Sequence, residues 1–425
     1  MRKKIGLIML AAIVASSGCT RTNGDSERSK LQERTNSAYT MDDLDPRIVQ
    51  SANRFGVELF GELYRTKPKK NIFLSPLSIA EALSLVSVGA SGETAAEMEK
   101  ALGLQGLKKE EIGRGYRVLV DLLSHPIDDG VETHIANSLW LRDDQPVYDE
   151  FLRIGRNDFN AETNRSDFKD TKTLKQMNKW VEEATNGKIK RMLERVEPDA
   201  ALYLLNAVYF NGAWKEPFRA QNTAKAKFFV ADGEYVETDM MTKGGYYEYT
   251  EKEGYEAIKL PYGKNESAYM AIVLPDQSIG TLDRLVSQIG SDPSLLTEAF
   301  EERPGRIELP KVKLDFSATL NDALNVLGIR EAFDSVKGDF TGISPAPPNL
   351  YISKAEHKSA IEINEQGTEA AAATAIEMEV GGAQPQNPFL MSVNRPFVAA
   401  IVDRETGCIL FAGVIFNPNE KKSSE

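Results

Sequence analysis

Apolar side chains recur at helical spacing near the start of the body and at strand spacing further along the chain. Long strand-like runs occupy 133–142 and 202–214, and 269–274 has the unbroken apolar character of a buried strand that ends at Pro275. The segment 396–418 contains two more predicted strands, joined at 405–407. The apolar positions that predict the first helix are Ile48, Ala52, Phe55, Leu59 and Leu63. Because helices dominate the first part and strands the second, an α+β fold is predicted.

Two further helices are marked by the residues at their starts. Ser75 is placed to cap a helix whose first residue is Pro76, where the missing amide hydrogen costs nothing. Thr94-Ala95-Ala96-Glu97 has the form of a capping box for the next helix, and Gly103 fits that helix's end. Since no fixed-period repeat or low-complexity linker divides the body, it is not cut into separate domains.

The segment 364–382, NEQGTEAAAATAIEMEVGG, combines features of a loop and of a strand. Its alternate positions from 368 to 380 form one uncharged set and one set that carries every charge. The uncharged set is Thr368, Ala370, Ala372, Thr374, Ile376, Met378 and Val380, and the other is Glu369, Ala371, Ala373, Ala375, Glu377 and Glu379. Gly381, Gly382, Pro385 and Pro388 then interrupt regular structure. We therefore predict a segment that is first an exposed loop and later a half-buried strand.

Residues 1–19 have the form of a targeting segment and are excluded from the fold. Arg2-Lys3-Lys4 are basic, 5–14 form an apolar run too short to span a bilayer comfortably, and Ser16-Ser17-Gly18 precede Cys19. This resembles a bacterial lipoprotein signal with lipidation at Cys19, although that pattern usually has leucine where Ser16 stands. The alternative is plain secretion with cleavage nearby.

Either route places the mature chain outside the cytoplasm: at the cell surface or the periplasmic face if Cys19 is lipidated, and otherwise secreted. A lipid at Cys19 would attach the chain to the membrane. The polar residues 20–44 are predicted to form a flexible tether, and 419–425 a polar tail.

The net charge limits which partners the chain is expected to bind, and the cysteine content limits which metal sites it could form. A formal net charge of -12 disfavours nucleic acid, because phosphate binding needs a basic surface. With only two cysteines, Cys19 and Cys408, zinc and iron–sulfur sites lack ligands, and no cofactor is predicted. Cys408 lies in an apolar run and is predicted to be a buried, inert thiol.

The sequence contains no motif of a conventional enzyme. The three histidines, His125, His134 and His357, do not have the spacing of a helical metal site. There is no G-x-S-x-G elbow and no phosphate-binding loop. Composition does not exclude a serine–histidine–aspartate triad, but each histidine is better explained as structural.

Several motifs, each of low specificity, follow one another in a specific order. They are Ser75-Pro76-Leu77-Ser78-Ile79, Asn178-Lys179-Trp180-Val181, Thr185-Asn186-Gly187-Lys188-Ile189, the run LNAVYFNGAW at 205–214, Phe340-Thr341-Gly342-Ile343, His357-Lys358-Ser359 and Asn394-Arg395-Pro396-Phe397. In this order they resemble the serpin family, and the resemblance covers 45–418.

The resemblance implies a single α+β domain with three β-sheets, about nine helices and an exposed reactive-centre loop. It also implies an inhibitor and not an enzyme. A serine or cysteine protease cleaves the loop, which then inserts into the main sheet as a strand and traps the acyl-enzyme. The protein is expected to be a monomer that polymerises readily through loop insertion.

The resemblance also assigns roles to individual residues. The hinge comprises Glu365, Gly367, Thr368, Ala370, Ala371, Ala372 and Ala373; the shutter comprises Ser75, Ser78, Asn206 and His357; and the breach comprises Trp214 and Lys311. An ion pair between Glu365 and Lys311 is predicted at the top of the main sheet.

The reactive bond is predicted at Val380, Gly381 or Gly382. The family's usual interval from the hinge ends at Gly381-Gly382, and the insertable pattern ends at Val380. Because 359–394 contains no Arg or Lys, a trypsin-like target is disfavoured, and elastase-, subtilisin- or chymotrypsin-like proteases are expected. The alternative is a non-inhibitory serpin that binds or carries a ligand, which the small hinge residues argue against. A hydrolase has no supporting motif.

Overall fold

Among the described residues, α-helices predominate from residue 37 to 124, and β-strands predominate from residue 202 onward. The computed structural model describes residues 37–125, 128, 130–231, 233–277, 280–345, 349–368, 387–420 and 422–423. The nine α-helices of these ranges are α1 (Pro46–Thr66), α2 (Pro76–Val88), α3 (Gly92–Ala101), α4 (Lys109–Ser124), α5 (Asp149–Asp158), α6 (Thr171–Ala184), α7 (Thr281–Ser291), α8 (Ser294–Thr297) and α9 (Asn321–Val326). Short 3-10 helices lie at Met41–Asp43, Ala220–Asn222 and Glu331–Phe333.

The strands of the described ranges form two sheets. They are β1 (Ile72–Leu74), β2 (Val131–Arg142), β3 (Ala161–Ser166), β4 (Leu202–Ala213), β5 (Ala224–Ala231), β6 (Glu234–Lys252), β7 (Tyr255–Tyr262), β8 (Ala268–Pro275), β9 (Glu301–Pro310), β10 (Val312–Thr319), β11 (Glu356–Asn364), β12 (Gly367–Thr368), β13 (Phe389–Ser392), β14 (Phe397–Asp403), β15 (Ile409–Ile415) and β16 (Lys422–Ser423). The larger sheet has the order β1-β15-β14-β8-β7-β6-β9-β13, with β5 also paired to β6, and the smaller has the order β16-β10-β11-β12-β4-β2-β3.

The larger sheet corresponds to two of the three sheets that the resemblance implies. Strand β6 is 19 residues long and pairs with β5, β9 and β7 in turn. Hydrogen bonding is therefore continuous through β6, so that two sheets are present where three are expected. The α+β class is as predicted from the sequence.

The smaller sheet lies between α6 on one face and the helical core on the other. Met177 and Val181 of α6 pack with Leu205 of β4 and Trp140 of β2. The next residue of β4, Asn206, points to the other face and bonds to Ser78 in α2. Every residue of α2 is buried, so this helix forms the floor beneath the sheet.

The local helix signals are only partly confirmed. Ser75 caps α2 as predicted, since its hydroxyl accepts the Ser78 amide at 3.4 Å and Pro76 is the first helical residue. The predicted capping box at Thr94 is wrong, because α3 already begins at Gly92 after Ser91. The Thr94 hydroxyl instead accepts the backbone amide of Asp339, a contact 245 residues away that no local pattern reveals.

The two ends of the described chain pack against the body. Asp121 of α4 accepts hydrogen bonds from the Ser37 hydroxyl and from the Ala38 amide, so the last part of the predicted tether is held against α4. Lys422–Ser423, predicted as part of a polar tail, forms a short strand parallel to β10. None of the described helices combines the length and apolar character needed to span a membrane. Cys19 and the targeting segment lie outside the described residues.

Candidate functional site

The site is the seam between β4 and β11, which are neighbours in the smaller sheet without a direct ladder. Strand β12 lies between them at the top, where Thr368 pairs with Gly212 of β4 and with Ile363 of β11. Below β12, no hydrogen-bonded ladder joins β4 to β11 among the described residues. The seam is therefore already entered by two residues of the segment that the sequence predicts to become a strand.

Cavities lie on both faces of the sheet beside the lower seam. A cavity of about 80 Å³ on the α2 side is lined by Ile79, Leu83 and Leu204 among others. A groove of about 870 Å³ on the opposite side is lined by Leu193 and Tyr203 among others. Both are also lined by Lys354, Glu356 and His357. The lower seam is thus bordered by open volume on both faces of the sheet.

Glu365 fixes the start of the hinge by three contacts. Its carboxylate accepts hydrogen bonds from Lys311 Nζ at 2.8 Å and from the Thr223 hydroxyl at 2.9 Å, and its carbonyl accepts the Phe218 amide at 2.8 Å. The predicted Glu365–Lys311 ion pair is therefore present. Burial alone raises the pKa of Glu365, but the hydrogen bonds from Lys311, its own backbone and Thr223 outweigh burial and lower it.

Gly367 and Thr368 are enclosed where they enter the sheet. A Cβ at Gly367 would lie 2.0 Å from the carbonyl oxygen of Gly212, so only glycine fits there. Thr368 is 2% exposed, and its hydroxyl shares a 2.5 Å hydrogen bond with the hydroxyl of Tyr262. A larger or charged side chain at 368 would have to displace Tyr262 or leave the sheet.

Trp214, assigned to the breach, holds the turn between β11 and β12. Its indole nitrogen donates to the Asn364 carbonyl at 3.0 Å, and its amide donates to the Gln366 carbonyl at 2.9 Å. The indole stacks on Tyr262 with ring centroids 4.4 Å apart. One aromatic pair thus supports both the turn and the inserted threonine. Tyr262 was not predicted from the sequence, because nothing local indicates that it lies beneath residue 368.

The four residues assigned to the shutter form one polar cluster at the start of α2. His357 of β11 accepts the Ser75 amide at 3.2 Å, and Ser78 donates its hydroxyl to Asn206 of β4. Asn206 in turn donates to Asn137 of β2 at 2.7 Å. The start of α2 is therefore bonded to both strands that border the seam. Asn137 belongs to the cluster but was missed, because only the register of β2 on β4 places it opposite Asn206.

His357 acts as a neutral acceptor in this cluster. It is 3% exposed, and burial lowers its pKa from 6.5 to about 4. Because its Nε2 accepts from the backbone amide of Ser75, and the Ser75 hydroxyl accepts from Ser78, the two side chains are not arranged as nucleophile and base. Their geometry supports a structural role.

Other chemistry is not apparent in the described residues. Cys408 is fully buried, and burial raises the pKa of its thiol well above the usual range, as expected of an inert cysteine. Within the described ranges no group of three or more His, Cys, Asp or Glu side chains is placed to hold a metal ion. The predicted hinge residues Ala370, Ala371, Ala372 and Ala373 and the candidate reactive positions Val380, Gly381 and Gly382 lie outside the described residues.

Comparison with known proteins identifies the family. A family model described as Serpin (serine protease inhibitor) matches residues 50–418. The chain belongs to the serpin family. It is 34% identical over 380 residues to an uncharacterised serpin-like protein of Thermococcus kodakarensis, covering 88% of this chain and 86% of that protein. It is 32% identical over 387 residues to Serpin A3-1 of Bos taurus, covering 89% and 91% of the two chains.

Solved structures of other serpins share the fold. The native state of tengpin, a thermophilic serpin, superposes with a TM-score of 0.79 at 29% identity, covering 89% of this chain and 96% of tengpin. Thyroxine-binding globulin in complex with thyroxine superposes with a TM-score of 0.77 at 26% identity, covering 87% and 99%. The second similarity shows that the fold alone does not decide what this serpin binds.

The hinge contacts predict the effect of reversing the charge at residue 365. In Glu365→Lys the new ammonium group repels Lys311 and loses the Thr223 bond, which together should cost about 1–2 kcal/mol at the partly exposed hinge. We expect a lower midpoint of thermal unfolding and faster polymerisation on warming, followed by native gel electrophoresis. Glu362→Lys is the matched control, because it reverses the exposed 2.7 Å pair with Lys313 on the adjoining strands β10 and β11. Equal behaviour of the two variants would contradict a role of the ion pair in holding the hinge.

The pKa of His357 predicts a pH-dependent contribution to stability. The pKa of His357 is about 4 in the folded chain, whereas its ordinary value is 6.5. The stability that the neutral imidazole gives to the folded chain is therefore complete above pH 6.5 and is lost as pH falls through 4. His357→Gln keeps an acceptor but cannot titrate. The difference in free energy of unfolding between wild type and this variant should change by about 3 kcal/mol between pH 7 and pH 4. A constant difference, or an equal change in the exposed-site control His134→Gln, would show that His357 does not titrate in this way.

Proposed function

We propose that this serpin is a suicide-substrate inhibitor of serine or cysteine proteases that cut near Val380, Gly381 or Gly382. After the cut, 368–380 would insert between β4 and β11 and carry the acylated protease with it. The observation that carries this proposal is the position of β12: Gly367 and Thr368 already bond to both edges of the seam, at the end where insertion must begin.

The sequence of 368–380 supports complete insertion. Its uncharged set would face α2 with no side chain larger than Met378, and it contains no proline. A thirteen-residue strand bonded on both edges would gain on the order of 10–20 kcal/mol, taking about 1 kcal/mol per net hydrogen bond plus apolar burial. This gain matches or exceeds the stability of a typical domain, so the intact chain must be held kinetically.

The proposed targets are proteases that accept small or apolar residues. The absence of Arg and Lys from 359–394 disfavours trypsin-like enzymes, and Val380-Gly381-Gly382 suits elastase-, subtilisin- or chymotrypsin-like specificity. We propose that the inhibitor works as a monomer at the outer face of the cytoplasmic membrane or at the cell surface, anchored by a lipid on Cys19.

A non-inhibitory binding or carrier protein is the second candidate. The similarity to thyroxine-binding globulin in complex with thyroxine favours it. The alanines that follow Thr368 disfavour it, because they are suited to insertion, which a carrier does not require.

A protease assay distinguishes the two functions. We expect the mature chain to form an SDS-stable complex with at least one of elastase, subtilisin and chymotrypsin, and mass spectrometry of the released C-terminal peptide to place the cut at 380–382. Thr368→Arg should be cleaved without forming a complex, because the buried position beside Tyr262 cannot accept a guanidinium. Glu369→Arg is the matched control, since it places the same guanidinium on the outward set and should still form the complex. Cleavage of the wild type without a complex, and without a rise in thermal stability, would favour the carrier.

The proposed lipid anchor is tested by replacing Cys19. In a bacterial host the wild type should fractionate with membranes and incorporate labelled fatty acid, whereas Cys19→Ser should do neither. Recovery of both forms in the soluble extracytoplasmic fraction would support plain secretion.

A further inference from the structure

A buried carboxylic acid adjoins the polar cluster without a partner of its own. Glu81 lies in α2, one turn after Ser78, and is 1% exposed. Neither of its carboxylate oxygens has a hydrogen-bond partner among the described residues. A buried carboxylate is normally paired or fully hydrogen-bonded, since an unpaired one costs several kcal/mol. Glu81 is therefore unlike the other polar groups of the cluster.

The polar group that acts on Glu81 is Asn137, the last member of the cluster. Its amide is near enough to favour the ionised form of Glu81, although it does not meet hydrogen-bond geometry. Through Asn137, Glu81 adjoins the bonds that run from Asn206 of β4 to Ser78 of α2. A change of charge at Glu81 therefore acts at the point where α2 is attached to β4.

The titratable groups that face Glu81 cannot neutralise its charge. They are Tyr116 of α4 and Cys408, which precedes β15, and burial raises the pKa of both. No salt bridge to Glu81 is present among the described residues. Burial raises the pKa of Glu81 from 4.5 to about 8, and Asn137 offsets this only in part. The side chain is thus a neutral acid at pH 6 and becomes ionised at mildly alkaline pH.

We propose that Glu81 is a proton-controlled positioning residue of the polar cluster: the neutral acid keeps β4 bonded to the start of α2, and ionisation weakens that attachment and eases separation of β4 from β11. The inference deepens the proposed function, because it concerns the seam that the loop would enter. Its primary test is conformational stability, which needs no protease.

The direction of the pH dependence follows from the two states of the acid. A carboxyl whose pKa is raised by folding stabilises the folded chain fully below pH 4.5, and that stabilisation is lost as pH rises through about 8. His357 in the same cluster has the opposite dependence, since its stabilisation is lost between pH 6.5 and 4. The two dependences oppose each other between about pH 4.5 and 6.5, and above pH 6.5 only that of Glu81 remains.

The experiment compares full-length wild type with Glu81→Gln and Glu256→Gln between pH 6.5 and 8.5. The second variant is the matched control for removal of a partly buried carboxylate, because Glu256 lies in β7 of the larger sheet, beside Arg395, and not at the seam. For wild type and Glu256→Gln we expect the equilibrium constant for folding to fall roughly twentyfold over this range, and polymerisation on warming to accelerate. For Glu81→Gln we expect neither change. An unchanged pH dependence in Glu81→Gln, or its loss in Glu256→Gln, would overturn the inference.

A measurement on wild type covers the case in which Glu81→Gln does not fold. Infrared spectroscopy should show the carbonyl stretch of a protonated carboxylic acid at pH 6.5, and the intensity of this band should fall to about a quarter by pH 8.5. Its absence at pH 6.5 would overturn the inference. If protease complexes fail to form but these pH effects are seen, only the proposed function fails; if complexes form without the pH effects, only the role of Glu81 fails.

Discussion

The structure depends on one helix start that is bonded to both strands of a seam. At the first turn of α2, the Ser75 amide donates to His357 of β11, and the Ser78 hydroxyl donates to Asn206 of β4. The two strands are not joined by a ladder below β12, so these bonds to a common floor hold them in register. A pair of side-chain bonds contributes about 2–3 kcal/mol, far less than a ladder along the same length would. The seam is thus a part of the sheet in which the strands can separate at small cost.

The upper end of the seam is organised differently. There the chain turns back into the sheet as β12, held by the Trp214 indole beneath the turn, by Tyr262 on Thr368 and by Lys311 on Glu365. These contacts commit two residues to the sheet without separating the strands lower down. Insertion beginning here would break the bonds of the polar cluster only after several ladder bonds had formed. The cost of separating the strands at each step down the seam is then offset by the ladder bonds formed in the steps before it. Insertion would therefore tend to run to completion once it starts.

Local chemistry was predictable from the residues themselves, whereas long-range pairing was predictable only where the family pattern indicated it. Ser75 was recognised as a cap because its partner is three residues away, and the Glu365–Lys311 pair was placed through the family pattern. Asn137 and Tyr262 were missed, since their roles follow from strand register and not from neighbouring residues. The predicted capping box at Thr94 was wrong because of another long-range contact: the Thr94 hydroxyl accepts the distant backbone amide of Asp339. The alternation in 364–382 predicts an insertable segment, but it did not indicate that Gly367 and Thr368 already lie between β4 and β11.

The chemical nature of the polar cluster explains why apolar packing would not serve in its place. Buried polar groups add little net stability compared with well-packed apolar side chains. Their stabilising effect is lost abruptly, however, when the geometry of one hydrogen bond is disturbed. An apolar floor would bind β4 and β11 at any register and would resist their separation gradually. A floor of serine, asparagine and neutral histidine binds them in one arrangement and releases them together. An acid such as Glu81 at the edge of this cluster adds a second property, because a single proton changes the electrostatics of the whole attachment. The cluster therefore favours one closed state that opens cooperatively, which is the behaviour that the proposed insertion of a strand requires.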